Sequence, residues 1–388
     1  MVHPQSPQKS NNMKFTVNSS DLLQRCNMLA KAQASKVSLS ILECVYVELN
    51  VESIRLTASD SNVTLTTALP VSNVEGIGES VCILTSTLIS SLREYGNQPV
   101  TLTIDMKTYG IRIEYLGGNG NFTGMDAADY PHLPENNNDR TIIAIPATAV
   151  TTGLSTVVRS AANDELRPIM NGVCFDFTAE GLVLVASDGH RLARQQYKDI
   201  ITETPQRFVL PTKASDILSA ITARQTEDIE VEFDDRRAVF TTADYTLTTS
   251  LIEGNYPNYD AVIPKDNTTK VRIERNTFIS ALRRVLVFAD ENTSLVSLHV
   301  ENDKVTLAAK DLSFAQSGEE SVPCESNCAD LTIGFKGIFL LELLRTVPGN
   351  EMFITLSDAT RAGVFIPSEQ PENENYLVLL MPMMLGEK

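Results

Sequence analysis

Leu182-Val-Leu-Val-Ala-Ser-Asp188 is a strand-like apolar run that ends in an aspartate, and related phrases stand at two other places. They are Ile54-Arg-Leu-Thr-Ala-Ser-Asp60 and Val305-Thr-Leu-Ala-Ala-Lys-Asp311. Each reads as a strand running into a turn, because strand side chains alternate between faces and Asp folds readily onto the backbone that follows it. The aspartates are 128 and 123 residues apart, so the spacing predicts three copies of one structural unit.

Other elements recur at the same interval. Helical periodicity predicts one helix early in each unit, over 20–34, 147–162 and 276–289, and a second after the aspartate turn, over 85–95, 212–224 and 336–347. Ser19 or Ser20 is placed to cap the first helix and Asn276 the fifth, while Pro146 precedes the third. Between the helices the chain is strand-like. One alternating stretch covers 100–115, a Gly-rich turn 117–120 follows, and a hairpin is expected around Asp234-Asp-Arg-Arg237. The expected fold is α+β: three repeated units, each of two helices packed on antiparallel sheets. With polar linkers at 134–140 and 264–270, the boundaries fall at 13–134, 141–263 and 264–388, after a disordered leader of residues 1–12. A string of independent modules is the competing architecture.

The 388 residues carry 32 Lys and Arg against 49 Asp and Glu, a net charge of −17 that taken globally should repel nucleic acid. The charge is unevenly placed. The six helical segments and their flanks hold twelve cations (Arg275 among them) and four anions, +8 against −25 for the remainder. If those helices share an inner surface, it is basic inside an acidic shell, and it attracts phosphate without reading bases. Ordinary solvated helix faces give the same count. No aromatic platform interleaves the cations, which argues against single-strand binding.

Several classes are excluded. No run of 18 apolar residues is present for a membrane span, and the polar leader has no secretory core. Six scattered cysteines suit a reducing compartment, and the one close pair, Cys324 and Cys328, has no histidine nearby for zinc. Phosphate-loop, dinucleotide, metalloprotease and EF-hand patterns are missing, so no cofactor or metal is expected. Ser187-Asp-Gly-His-Arg191 is the most conspicuous local sequence. It can be a plain tight turn, a turn that forms part of a binding pocket, or a hydrolase site using Asp188 and His190 as an acid–base pair. The apolar ending Met381-Pro-Met-Met-Leu385 follows a strand that Pro382 should stop, and flexible methionines suit a pocket for varied partners.

These residues carry a family likeness. Met13-Lys-Phe-Thr-Val17, Ser40-Ile-Leu42, Ser187-Asp-Gly-His-Arg-Leu-Ala193, Tyr256-Pro-Asn-Tyr259, Val262-Ile-Pro264 and Met381-Pro-Met383 with Leu385 resemble the bacterial DNA polymerase III beta subunit family, the sliding clamps, over 13–385. The resemblance implies three clamp domains per chain and a head-to-tail homodimer that closes a ring around duplex DNA. It implies a cytoplasmic, non-catalytic processivity factor of replication. Its partners would be duplex DNA without sequence preference, the DNA polymerase III catalytic subunit, the clamp loader and other proteins with a clamp-binding motif.

The resemblance further implies a peptide pocket of Met170, Ser187, Gly189, His190, Arg191, Leu192, Pro257, Val262, Leu379, Met381, Pro382, Met383 and Leu385. The DNA-facing set would be Arg25, Lys31, Lys36, Arg93, Arg159, Lys213, Arg224, Arg283, Arg284, Lys336 and Arg345. The ring interface would pair Val287 and Phe288 with the Phe122 strand. Four features depart from the family pattern: Met384 stands where Arg is common, residues 386–388 run past the usual end, the stretch before Met381 has extra residues, and the leader 1–12 is not a family feature.

Overall fold

The structure is a computed structural model that describes residues 12–33, 39–131, 140–202, 205–327 and 330–385. The leader expectation falls outside these residues except at Asn12, which already belongs to the first strand, Asn12–Asn18. Most of the first linker, Lys36, Cys328 and 386–388 also lie outside the described residues.

Six α-helices start within one residue of the expected positions, although α1 and α3 end five residues sooner than expected: α1 Ser19–Leu29, α2 Thr85–Tyr95, α3 Ala147–Val157, α4 Thr212–Thr222, α5 Arg275–Leu286 and α6 Gly337–Thr346. The caps differ from expectation. Asn18 caps α1 by accepting from Ser20 N at 2.9 Å and Asp21 N at 3.3 Å, while the Ser19 hydroxyl turns away to the Gly96 carbonyl. Glu274, not Asn276, caps α5, with its carboxylate accepting from Asn276 N at 3.1 Å and Thr277 N at 2.5 Å. Both helices begin one residue earlier than the pattern suggests, which moves the capping position with them.

The chain divides into two compact units. One contains 1–148 and 220–250; the other contains 149–219 and 251–388, so the division runs through α3 and α4. In the first unit a five-stranded antiparallel sheet runs Ser72–Glu75, Asn12–Asn18, Pro99–Asp105, Gly110–Tyr115, Gly118–Thr123. The single stretch expected over 100–115 is therefore a hairpin, turned where Asp105 accepts from Lys107 N at 2.9 Å. The next turn is tighter than expected: Gly118–Thr123 is a strand, and Tyr115 pairs with Gly118. The same unit holds a nine-stranded sheet in which Val63–Pro70 pairs with Tyr245–Ser250. Phe15, Val17, Leu22, Leu88, Leu92 and Leu102 form buried core beneath α1 and α2.

The second unit is built on a twelve-stranded sheet in which Arg191–Tyr197 pairs with Glu374–Leu380. α5 and α6 pack together, burying Phe278, Leu282, Leu340 and Leu344. Sheets thus run without a break from the first repeat into the second, and from the second into the third. That overturns the reading of independent modules, because each middle-repeat strand at these joints would otherwise be a bare, pairing-competent edge. Among the described residues no helix is long and apolar enough to cross a membrane.

Candidate functional site

The site grows from the turn Ser187–Arg191. Asp188 Oδ1 accepts from His190 N and Arg191 N, both at 2.9 Å, which closes the turn. The Ser187 hydroxyl donates to Arg191 O at 2.8 Å and accepts from Gly189 N at 3.1 Å. Gly189 has φ +87°, a conformation that L side chains reach only with strain. Arg191 is held hard. Its Nε donates to Asp188 Oδ2 at 3.0 Å, it also pairs with Glu342 on α6, and its guanidinium lies 4.2 Å from the Phe339 ring centroid. The stacked geometry combines a charge-assisted hydrogen bond with a cation–π contact, so the side chain is only 11 % exposed.

Beneath the turn lies an apolar cluster of Cys174, Val183, Val185, Leu192, Val209, Tyr256, Tyr259, Ala362, Val364, Leu377 and Leu379. Leu192 and Leu379 are paired across the sheet and almost wholly buried. Met170 is also buried, whereas Pro257 and Val262 are exposed on the segment that Tyr256 and Tyr259 anchor. Tyr259 donates to Asp176 Oδ2 at 2.7 Å, and Arg207 pairs with the same carboxylate, which fixes that segment to the sheet.

The C-terminal segment completes the site. Met381 N donates to His190 O at 2.8 Å, and Met383 N donates to Gly334 O at 2.8 Å. Pro382 between them has no N–H to offer. Met381, Pro382, Met383 and Leu385 stay partly open, while Met384 is 85 % exposed. The structure therefore joins the turn to the tail through Met381 and His190, while Pro257 and Val262 lie on the same second unit.

Four further residues have no sequence signal. Arg167 lies over Gly189, where an added Cβ would stand 2.7 Å from its NH1, and the same nitrogen reaches the Met170 sulfur at 3.8 Å. Phe339 and Glu342 hold Arg191 from a helix about 150 positions away. Gly334 holds the tail.

The turn does no acid–base work as a pair. Both Asp188 oxygens are occupied by the turn and by Arg191, and the exposed His190 ring makes no hydrogen bond among the described residues. Burial pushes the Cys44 thiol up to about 11 and those of Cys26 and Cys82 up to about 12, so these thiols are not thiolate nucleophiles near neutrality.

The cations expected to face DNA fall into two groups. Lys31, Arg93, Arg159, Arg224, Arg283 and Arg345 are exposed, with no ion pair among the described residues. Others are engaged. Arg25 pairs with Asp244 at 2.6 Å, Arg284 binds Glu320 through two hydrogen bonds at 2.8 and 2.5 Å, and the Lys336 ammonium sits 4.4 Å from the Phe339 centroid. Arg275 donates to the carbonyls of Gly349 at 2.8 Å and Leu344 at 3.4 Å, so it caps the end of α6. Lys213 is half-buried. A count by residue type overstates the free positive charge.

Of the residues expected at a ring interface, Phe122 lies on the edge strand Gly118–Thr123 and lines an open groove of about 480 Å³ with Asn12, Thr103 and Arg112. Val287 is exposed at the end of α5, and the Phe288 ring rests on Gly318. Leu312 and Phe314 are also exposed, in the turn before the Gln316–Ser326 strand.

Three family models match nearly all of the described fold, in order. The N-terminal domain of the DNA polymerase III beta subunit matches residues 13–134, the central domain 144–258 and the C-terminal domain 260–384. The chain belongs to the DNA polymerase III beta subunit family. Similar curated relatives of this beta-subunit chain include the beta sliding clamps of Bacillus subtilis, 25% identical over 96% of this chain and 99% of that one, and of Synechococcus elongatus, 26% identical over 96% and 100%. Among solved structures, the beta subunit of Thermotoga maritima superposes with TM-score 0.87 at 23% identity, covering 96% of this chain and all of that one. The Pseudomonas aeruginosa clamp, bound to griselimycin, gives TM-score 0.89 at 20% identity over the same shares. The three repeats are three clamp domains, and a beta subunit is a non-catalytic part of the polymerase, so the hydrolase reading is set aside.

Proposed function

We propose that this chain is a processivity factor of DNA replication, a cytoplasmic clamp that tethers DNA polymerase III to its template. The observation that carries the reading is the ordered succession of N-terminal, central and C-terminal beta-subunit domains between residues 13 and 384. We take the domains as 13–134, 141–263 and 264–388. Two copies join head to tail, with Val287 and Phe288 of one against the Phe122 strand of the other, and the ring encircles duplex DNA. The exposed cations Lys31, Arg93, Arg159, Arg224, Arg283 and Arg345 contact phosphate without reading sequence. The Ser187–Arg191 turn and the Met381–Leu385 tail take short peptides from the polymerase catalytic subunit, the clamp loader and other factors. An apolar recess with a few oriented polar groups suits that task.

The chemistry follows from topology. A ring that never grips the bases can slide, and linkage replaces affinity as the reason it stays. The test is retention on circular and linear duplex after loading. The protein should stay on a nicked circle and leave promptly once the circle is cut. Equal retention on both forms would sink the topological reading. Reversing Arg93, Arg283 and Arg345 to Glu together should impair loading while peptide affinity holds.

A further inference from the structure

We propose that Gly334 is a positioning residue for the peptide site: its missing side chain is the seat of the C-terminal tail. The inference rests on the peptide-docking reading above. Gly334 lies mid-way along Leu331–Lys336, the last strand of its sheet, which pairs on one side with Leu295–Val300. A glycine inside a strand costs stability and commonly marks close approach by another backbone. Its own φ is not in the left-handed region, so conformational freedom is not what it supplies.

What it supplies is clearance. A Cβ at Gly334 would stand 2.8 Å from the Met383 carbonyl oxygen, 2.8 Å from Leu385 Cδ2 and 3.1 Å from Leu295 Cδ1. The two leucine tips can swing aside; the Met383 carbonyl is backbone and moves only if the tail moves. The same residue grips what it clears, because Gly334 O accepts from Met383 N at 2.8 Å. The other backbone anchor of the tail is Met381 N on His190 O. Among the described residues these two backbone hydrogen bonds hold the tail Met381–Leu385, and one depends on position 334. Without it, Met383 and Leu385 lose their places while the sheet beneath keeps its own pairing.

The test uses the full chain, a labelled peptide from the clamp-binding motif of the DNA polymerase III catalytic subunit, and amide exchange. Gly334→Ala should weaken the peptide at least tenfold and speed exchange at Met383, with protection unchanged across Leu295–Val300. Met383→Pro, which cannot donate to Gly334 O and leaves the strand untouched, should weaken binding comparably. Unchanged affinity in either variant overturns the assignment. So does loss of protection through the sheet in Gly334→Ala, which would make the glycine structural. If the unsubstituted chain ignores the peptide, the docking reading itself falls, a result distinct from wild-type binding that Gly334→Ala leaves intact.

Discussion

The turn at Ser59–Val63 and the turn at Ser187–Arg191 are built alike and carry different side chains. In both, an Asp carboxylate accepts two successive amides: Asp60 from Asn62 N at 2.9 Å and Val63 N at 2.8 Å, Asp188 from His190 N and Arg191 N at 2.9 Å. In both, the preceding Ser donates across the turn, Ser59 to Val63 O at 3.0 Å and Ser187 to Arg191 O at 2.8 Å. In both, the third residue has positive φ, +79° at Ser61 and +87° at Gly189. Each turn even receives a backbone hydrogen bond at the same place: Ser250 N donates to Asn62 O at 2.9 Å, and Met381 N to His190 O at 2.8 Å. The difference lies in what the frame carries. Its last residue is buried Val63 in one and Arg191 in the other. The turn geometry is shared; the side chains riding on it are what differ.

The largest expected contrast comes from truncating those last residues. Arg191→Ala should weaken peptide binding roughly thirtyfold, about 2 kcal/mol, as loss of a buried anchoring Arg does. It should lower stability by about 1 kcal/mol, since its ion pairs keep some access to solvent. Val63→Ala should do the reverse: a cavity costing about 2 kcal/mol in urea unfolding, and no change in peptide affinity. If both variants fall equally in both assays, the two turns are not divided into frame and rider.

A smaller contrast tests the positive-φ position. Gly189→Ala should cost about 1–2 kcal/mol, because an L residue is strained there and its Cβ would meet the Arg167 guanidinium. Ser61→Gly should leave stability unchanged or raise it by about 0.5 kcal/mol, strain relief offsetting the entropy of glycine. Thermal unfolding separates the two, and a tolerated Gly189→Ala would show that the approach of Arg167 is loose.

The shared frame is also what was legible in sequence. Alternation and the recurring aspartate placed the three strand–turn units, and apolar periodicity placed the starts of all six helices within one residue, though it ran α1 and α3 five residues too far. The caps were missed because Asn18 and Glu274 close helices that begin one residue ahead of the apolar pattern. The tail and the turn, being contiguous phrases, were legible as candidate site components. Arg167, Phe339, Glu342 and Gly334 were not, since nothing local marks a residue whose role comes from a neighbour brought in by the sheet. The charge partition was half legible for the same reason: composition counts Arg25 and Arg284 as free cations, and only packing brings Asp244 and Glu320 to them.

The smallest contrast asks how far the likeness of the frames extends to energy. Ser59 and Ser187 make the same two hydrogen bonds, but Ser59 is buried and also meets the Thr64 hydroxyl at 2.8 Å, whereas Ser187 is partly open. Removing a buried partner leaves donors and acceptors that water cannot reach, which costs more than the bond itself. Ser59→Ala should therefore cost about 1.5 kcal/mol and Ser187→Ala about 0.5 kcal/mol, with solvent replacing the lost hydroxyl in the second. Equal costs would mean that the peptide-side turn is as dry as its sibling, and that the site is closed until a ligand or a tail movement opens it.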